Sequence, residues 1–303
     1  MASLGAAALA VPACSSDVEE APARPTLDSG TAGEGGGGEG GTSSDGSADT
    51  GPEGPKKVLD LDTQTTLKNE IEVSTWLDAT GNNNTAVATP TPLAVEPGIN
   101  GRPAVRFDGA HHMVLADSPT LQVGTEDFLL AVVAMWEEAD TSQSHVIFAK
   151  QLGAAPLTGP AIMANHAFLP GDPTDRSTSV AVLLRDGTKA ESVAVRAVPP
   201  PDPSKPHLIV LRRAAGVLEL RVDRTAKGTT TFDRNLDANA IGSAAALGGD
   251  GQAGRYLKGF IGQVVLYRGT VSTRELGNIE GGLHNRWLTI VDAGAPKDAG
   301  NDG

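Results

Sequence analysis

From residue 58 to residue 291 the chain repeats one pattern, a short apolar run followed by a break of Gly, Pro, Asn or Asp. Runs of that length bury their side chains by stacking one sheet on another, so the pattern predicts an all-β fold, an antiparallel β-sandwich or jelly roll. The most apolar run is Phe128-Leu-Leu-Ala-Val-Val-Ala-Met-Trp136. Its length and β-branched content predict a central strand buried on both faces. The run from Ser179 to Arg185 and that from Ser192 to Arg196 flank Asp186-Gly187, and those from His207 to Arg212 and from Val217 to Val222 flank Ala214-Ala-Gly216. Both read as hairpins. In the last of these strands Leu218, Leu220 and Val222 share one face while Val217, Glu219 and Arg221 share the other, the alternation of a sheet with one face in the core.

One helix is expected, near the C-terminus, closing the sandwich. Ser272-Thr-Arg-Glu275 has the form of a capping box, and Leu276, Ile279, Leu283 and Trp287 recur at spacings of three and four. Gly277, Gly281 and Gly282 each weaken such a helix by roughly 1 kcal/mol relative to Ala, so packing must hold it in place.

Two polar segments flank this core. Residues 15–57 are a mixture of Gly, Glu, Ser, Thr and Pro with no aromatic side chain. A stretch of that composition buries too little apolar surface to offset the entropy of ordering it, so it reads as a disordered acidic linker. Residues 292–303 read as a second disordered tail. The formal net charge is −13, and most of it falls in these two segments rather than in the core. Clustered Lys and Arg of the kind a phosphate backbone needs are missing, which argues against nucleic acid as a partner. Arg212 and Arg213, adjacent on a strand, are expected to face opposite ways as surface residues.

The run Gly98-Ile-Asn-Gly-Arg-Pro-Ala-Val-Arg-Phe-Asp-Gly109, then Met113-Val-Leu115, is echoed by Lys258-Gly-Phe-Ile-Gly-Gln-Val-Val-Leu-Tyr-Arg268 and the helix after Ser272. Together these pieces resemble the laminin-G-like members of the concanavalin A-like lectin/glucanase superfamily over roughly residues 58–290. The resemblance implies a non-catalytic binding module with a polysaccharide or glycoprotein as ligand. A protein–protein or adhesive module without a sugar site is the alternative, and a glycoside hydrolase a more distant one. It also implies a rim where calcium is the ion to expect, held by Asp side chains and loop carbonyls. Candidates are Asp172 and Asp175 in Pro170-Gly-Asp-Pro-Thr-Asp175, and Asp250 in Gly248-Gly-Asp-Gly251, although Asp-Pro and Asp-Gly also start turns unaided.

The single cysteine excludes an internal disulfide. Residues 1–14 end Val11-Pro-Ala-Cys14-Ser-Ser and resemble the signal segment and lipobox of bacterial lipoproteins, with no Lys or Arg ahead of Cys14. In that reading Cys14 carries a lipid that holds the protein in the membrane. The protein then belongs to the bacterial cell envelope, as an outer-membrane lipoprotein or an extracellular protein.

Catalytic chemistry is not expected. The nearest approach to a glucanase carboxylate strand is Glu219-Leu-Arg-Val-Asp223, where Arg221 would neutralise an acid/base pair and Asp223 falls where a turn begins. His111-His112 would face opposite sides of a strand and so cannot both reach one ion. Asp108 reads as a turn residue capping the following backbone. Trp76, Trp136, Trp287 and Tyr267 fall at core places, leaving Tyr256 loosely placed beside a Gly-rich loop.

Overall fold

The computed structural model describes residues 54–137, 145–150, 158–164, 180–186, 193–197, 201–236, 244–250 and 255–290. Along the chain the strands are β1 (Lys56–Asp62), β2 (Glu72–Val73), β3 (Thr75–Trp76), β4 (Ala86–Thr89), β5 (Leu93–Ile99), β6 (Arg102–Asp108), β7 (His112–Leu115) and β8 (Phe128–Trp136). They continue as β9 (His145–Ala149), β10 (Thr158–Ala164), β11 (Val180–Asp186), β12 (Val193–Arg196), β13 (His207–Ala214), β14 (Val217–Val222), β15 (Thr225–Thr231), β16 (Ala245–Leu247) and β17 (Lys258–Arg268). Helix α1 (Thr63–Thr66) is a single turn after β1, and helix α2 (Thr273–Trp287) follows β17. The first strand starts two residues inside the stretch expected to be linker.

The strands form two antiparallel sheets, as expected of a sandwich. The first runs β15-β14-β13-β8-β17-β6-β5-β2, and the second β12-β11-β10-β9-β16-β7-β4-β3. One edge of β17 is shared. Lys258–Ile261 pairs with β6, and Gln263–Arg268 pairs with β1. At the junction the Thr63 hydroxyl donates to the Gly262 carbonyl (3.0 Å) and lies 2.5 Å from that of Pro103. A buried carbonyl that the ladder leaves open is satisfied in this way.

The nine-residue apolar run is explained by its position. Phe128, Leu130, Val132, Ala134 and Trp136 of β8 point between the sheets, into the main core. Leu129, Ala131 and Val133 point outward, into a second cluster with Leu276, Leu283 and Trp287 of α2. A strand alternating between two dry faces has no place for a polar side chain. Helix α2 is therefore the cover of the outer face of the first sheet. Its capping box forms, with Glu275 N–H donating to Ser272 Oγ and Ser272 N–H to Glu275 Oε2. At its far end the Trp287 indole N–H donates to Gln263 Oε1 at 2.8 Å.

The β13–β14 hairpin closes on Ala215 and Gly216, both at positive φ, the two-residue turn that suits the twist of a hairpin. In the β11–β12 pair the ladder ends at Leu184–Val193, and residues 187–192 lie outside the described residues.

The pair Arg212-Arg213 corrects the sequence reading. The two do face opposite ways, but Arg213 is buried. Its guanidinium donates to the carbonyls of Val123, Gly124 and Glu126, which precede β8, and to that of Arg234. An arginine that satisfies four backbone acceptors is a fastening of the core rather than a surface charge. Arg212 donates to the Val271 carbonyl beside α2.

The glycines of the helix and of β17 have opposite needs. A Cβ added at Gly277, Gly281 or Gly282 meets nothing within 4 Å, whereas one at Gly262 meets the Trp287 ring at 2.7 Å. Replacing Gly277, Gly281 or Gly282 by Ala should raise unfolding stability by about 1 kcal/mol each. Gly262→Ala should lower it by about 1–3 kcal/mol through overpacking. Urea denaturation of the four variants checks the contrast.

Candidate functional site

Strand direction gathers the connections at one end of the sandwich. Strands β4, β6, β8, β10, β14 and β16 end there, and β5, β7, β9, β11, β13, β15 and β17 begin there, as the registers require. The segment holding Asp172 and Asp175 joins β10 to β11, whose ends Ala164 and Val180 pair with each other at this end. Both aspartates, like Cys14, lie outside the described residues.

On β6, Arg106 and Asp108 alternate with the buried Phe107 and so share the outer face of the first sheet. The Arg106 guanidinium lies 4.8 Å over the Phe260 ring and is bound to Glu137 at 2.5 Å. Glu137 also takes Lys258 at 3.0 Å. Burial tends to raise the Glu137 carboxyl, but the two cations outweigh it and hold it below the usual carboxylate range. Asp108 Oδ1 accepts from the N–H groups of Ala110 and His111, and Oδ2 lies 2.7 Å from His111 Nδ1. This is the capping role expected of it. Burial again works upward, and the Ala110 N–H and the His111 ring and N–H outweigh it, leaving the Asp108 carboxyl below its usual range.

These side chains line a groove of ≈ 450 Å³ formed by Pro92, Leu93, Ala94, Glu96, Arg106, Asp108 and His111. Its polar wall offers acceptors (Glu96, Asp108) and donors (Arg106, His111). Its apolar contribution comes from the start of β5. Of these residues only Asp108 and His111 were singled out in the sequence. The missed signal was the i, i+2 pairing of Arg106 and Asp108 on one strand.

The two histidines separate as expected. His111 turns to Asp108, and His112 packs on Tyr256 with ring centroids 5.7 Å apart. Burial pushes the His112 ring below its ordinary value, against the pull of the Asp250 carboxylate and with that of the neighbouring His111. Tyr256 is thereby placed in a packed corner, its carbonyl accepting from His145 Nδ1 at 2.8 Å.

Asp250 is not on an open rim. Its side chain is 0% exposed, and Arg255 Nη1 donates to Oδ2 at 3.1 Å. The glycines before it lie under rings, since a Cβ at Gly248 would strike Phe107 and one at Gly249 would meet Tyr256 at 2.6 Å. Among the described residues no three His, Cys, Asp or Glu side chains form a group able to hold a metal. A carboxylate committed to an arginine does not fit the first ligand of a cation that takes six to eight oxygens, so the described surroundings of Asp250 do not fit calcium.

The Glu219–Asp223 carboxylates go to different partners. Glu219 accepts from Arg221 at 2.8 Å and lies 3.7 Å from Arg212, while Arg221 also binds Glu280 of α2 at 2.7 Å. Asp223, at positive φ in the β14–β15 turn, binds His207 and the Leu208 N–H. Glu219 is thus part of the seam between sheet and helix.

No family model matches the chain, and no curated protein matches it. Solved structures share its fold. One is domain 4 of AbnA, a GH43 extracellular arabinanase from Geobacillus stearothermophilus, in complex with arabinotriose (TM-score 0.55, 16% identity, covering 75% of this chain and 100% of that one). Another is the binding domain of Paraclostridial Mosquitocidal Protein 1 (TM-score 0.55, 11% identity, covering 76% and 52%). A third is the binding domain of botulinum neurotoxin DC in complex with rat synaptotagmin II (TM-score 0.54, 10% identity, covering 75% and 51%). This chain spans about half the length of each of the latter two chains.

Because Asp250 is buried against Arg255, Asp250→Asn should lower stability by about 2 kcal/mol, less than for a fully dry pair because Arg255 is partly exposed. The same substitution should leave any effect of added calcium on the melting temperature unchanged. Thermal melts of parent and variant, with and without calcium, read both.

Proposed function

We propose that this chain is a non-catalytic surface binding module for a glycan, built on a laminin-G-like variant of the concanavalin A-like sandwich. The observation that carries the reading is the groove at the loop end. Sugar rings present vicinal hydroxyls, which take planar carboxylate, guanidinium and imidazole partners, together with C–H faces that suit a floor of Pro92 and Ala94. The solved neighbour that holds arabinotriose gives the same fold a sugar-binding precedent.

Asp108 does not suit the acid of a hydrolysis. A glycosidase acid needs a carboxyl kept protonated by a raised pKa, and Asp108 is held in the opposite direction by its three hydrogen bonds. A protein ligand is the second reading. It is favoured by the burial of Trp76, Trp136 and Trp287, which leaves the groove without an indole platform, and by the neighbour that binds synaptotagmin.

The entry of the chain supports a surface role. Lys56 pairs with Arg268 at one end of β17, while the groove lies at the Lys258 end. Eleven residues of strand separate the two, roughly 33 Å at 3.3 Å per residue. A lipid on Cys14, joined through the acidic linker, holds the protein in the bacterial envelope with the groove at the end remote from the tether.

Two experiments test these readings. Arg106→Ala should remove the thermal stabilisation given by a bound polysaccharide, while Glu219→Gln should leave it intact, as read by melting against a glycan panel. Equal stabilisation of parent and Arg106→Ala would sink the groove as the site, and release of reducing ends abolished by Glu219→Gln would replace the binding reading with an enzyme. Separately, Cys14→Ser should move the protein from the membrane to the soluble fraction on cell fractionation. Continued membrane association of that variant would rule out the lipid anchor.

A further inference from the structure

His207 opens β13 and shares the inward face of that strand with Ile209 and Leu211. Its side chain is 8% exposed, and the ring packs against the Trp136 indole, centroids 5.5 Å apart. Nδ1 lies 2.7 Å from Asp223 Oδ2, and Nε2 lies 2.6 Å from the Asp202 carbonyl oxygen. Both partners are acceptors. The carbonyl has no hydrogen to give, and Asp223 uses its other oxygen to accept the Leu208 N–H at 2.9 Å, which suits an ionised carboxylate.

A neutral imidazole carries one N–H and one lone pair. In this setting it would set a lone pair against an oxygen in one of the two contacts. Only the imidazolium donates to both, and a cation is also what the face of Trp136 favours.

We propose that His207 is a buried imidazolium clamp that ties segment 201–206 to the β14–β15 turn while protonated and loosens that segment at Asp202 on losing a proton. The direction of loosening follows from the partners. A hydrogen bond to a carboxylate is stronger than one to a carbonyl, so the proton kept is the one shared with Asp223. The bond lost is the one to the Asp202 carbonyl, five residues back along the chain, which links the segment to the ring. What remains there is the Ser204 N–H and hydroxyl on Asp202 Oδ1, Lys205 on Oδ2, the Lys205 N–H on the Asp202 carbonyl at 3.2 Å, and the burial of Pro201 and Pro203.

Among the described residues the charges acting on the ring are Asp223 and Asp202. Lys205 is paired to Asp202, and Glu137, next after Trp136 on β8, is held by Arg106 and Lys258. The Ser204 hydroxyl and Lys205 pull the Asp202 carboxyl down to about 2, so it stays ionised while the ring titrates. Burial disfavours the charged ring, but the Asp223 carboxylate and the Asp202 carbonyl outweigh it and raise the pKa of His207 above its ordinary value. The clamp is therefore complete below about pH 6.5 and is lost as pH rises through the higher folded value.

The test uses the full chain and needs no ligand, so it stands or falls apart from the glycan reading. Ring nitrogen NMR at about pH 6 should show both His207 nitrogens protonated, with loss of one proton above the ordinary histidine value. A neutral tautomer at that pH overturns the clamp. Hydrogen exchange at the Ser204 and Lys205 amides, corrected for base catalysis, should then accelerate as the ring deprotonates, by about tenfold for each unit the pKa is raised. Exchange that follows base catalysis alone overturns the loosening. Asp223→Asn should lower the pH at which the ring titrates, and an unchanged titration in the folded variant would remove Asp223 from the clamp.

Discussion

The structure depends on two strands that are dry on both faces. β8 and β17 pair over most of their length at the centre of the first sheet, and each sends alternate side chains into the inter-sheet core and into the layer beneath α2. The hydrophobic effect is proportional to the apolar area removed from water. A sheet with one face left wet would forfeit the outer half of that area, Leu129, Ala131, Val133, Leu208, Val210 and Val265. The requirement explains why a helix with three glycines persists. Its stability comes from what Leu276, Leu283 and Trp287 cover, and Trp287 packs against Gly262 while its indole N–H reaches Gln263 Oε1.

Polar groups inside this frame are handled by commitment. Arg213 is spent on carbonyls before β8, Arg221 on Glu219 and Glu280, and Asp250 on Arg255. A loop at residues 78–84 follows the same rule. Asp78 accepts from the N–H groups of Asp60, Thr80 and Asn84, and Asn84 Nδ2 donates to the Val58 carbonyl at 2.7 Å. At the loop end the pairing is closer to the surface: Arg106 holds Glu137 and Asp108 holds His111, and together with Glu96 they line the groove.

Local signals made the architecture legible in the sequence. The Phe128–Trp136 run, the Ser272–Glu275 capping box, the helix stripe and the Ala-Gly turn each act within a few residues, and each is present as read. Readings that needed a distant partner fared differently. Nothing near Arg213 in the chain announces the carbonyls about 90 residues away that bury it. Gly248-Gly-Asp250 has the composition of an exposed turn, yet Phe107 closes over Gly248 and Tyr256 over Gly249. The groove draws on β5, β6 and the turns beside them, and only the register of the strands sets Glu96 and Arg106 on one face.

The shared edge of β17 has a mechanical meaning. The chain enters at Lys56, and β1 runs from there along β17 with six residue pairs in register. Tension on the preceding segment acts along the axis of β1, not across it. The pairs are then loaded together in shear, and the strand cannot peel away one bond at a time. Beyond it, Thr63 and the N-cap Asp62, gripped by Arg286 of α2 at 2.6 Å, carry the load into the helix layer. A domain that holds its ligand at one end and is pulled from the other would yield last at the strand by which it is pulled.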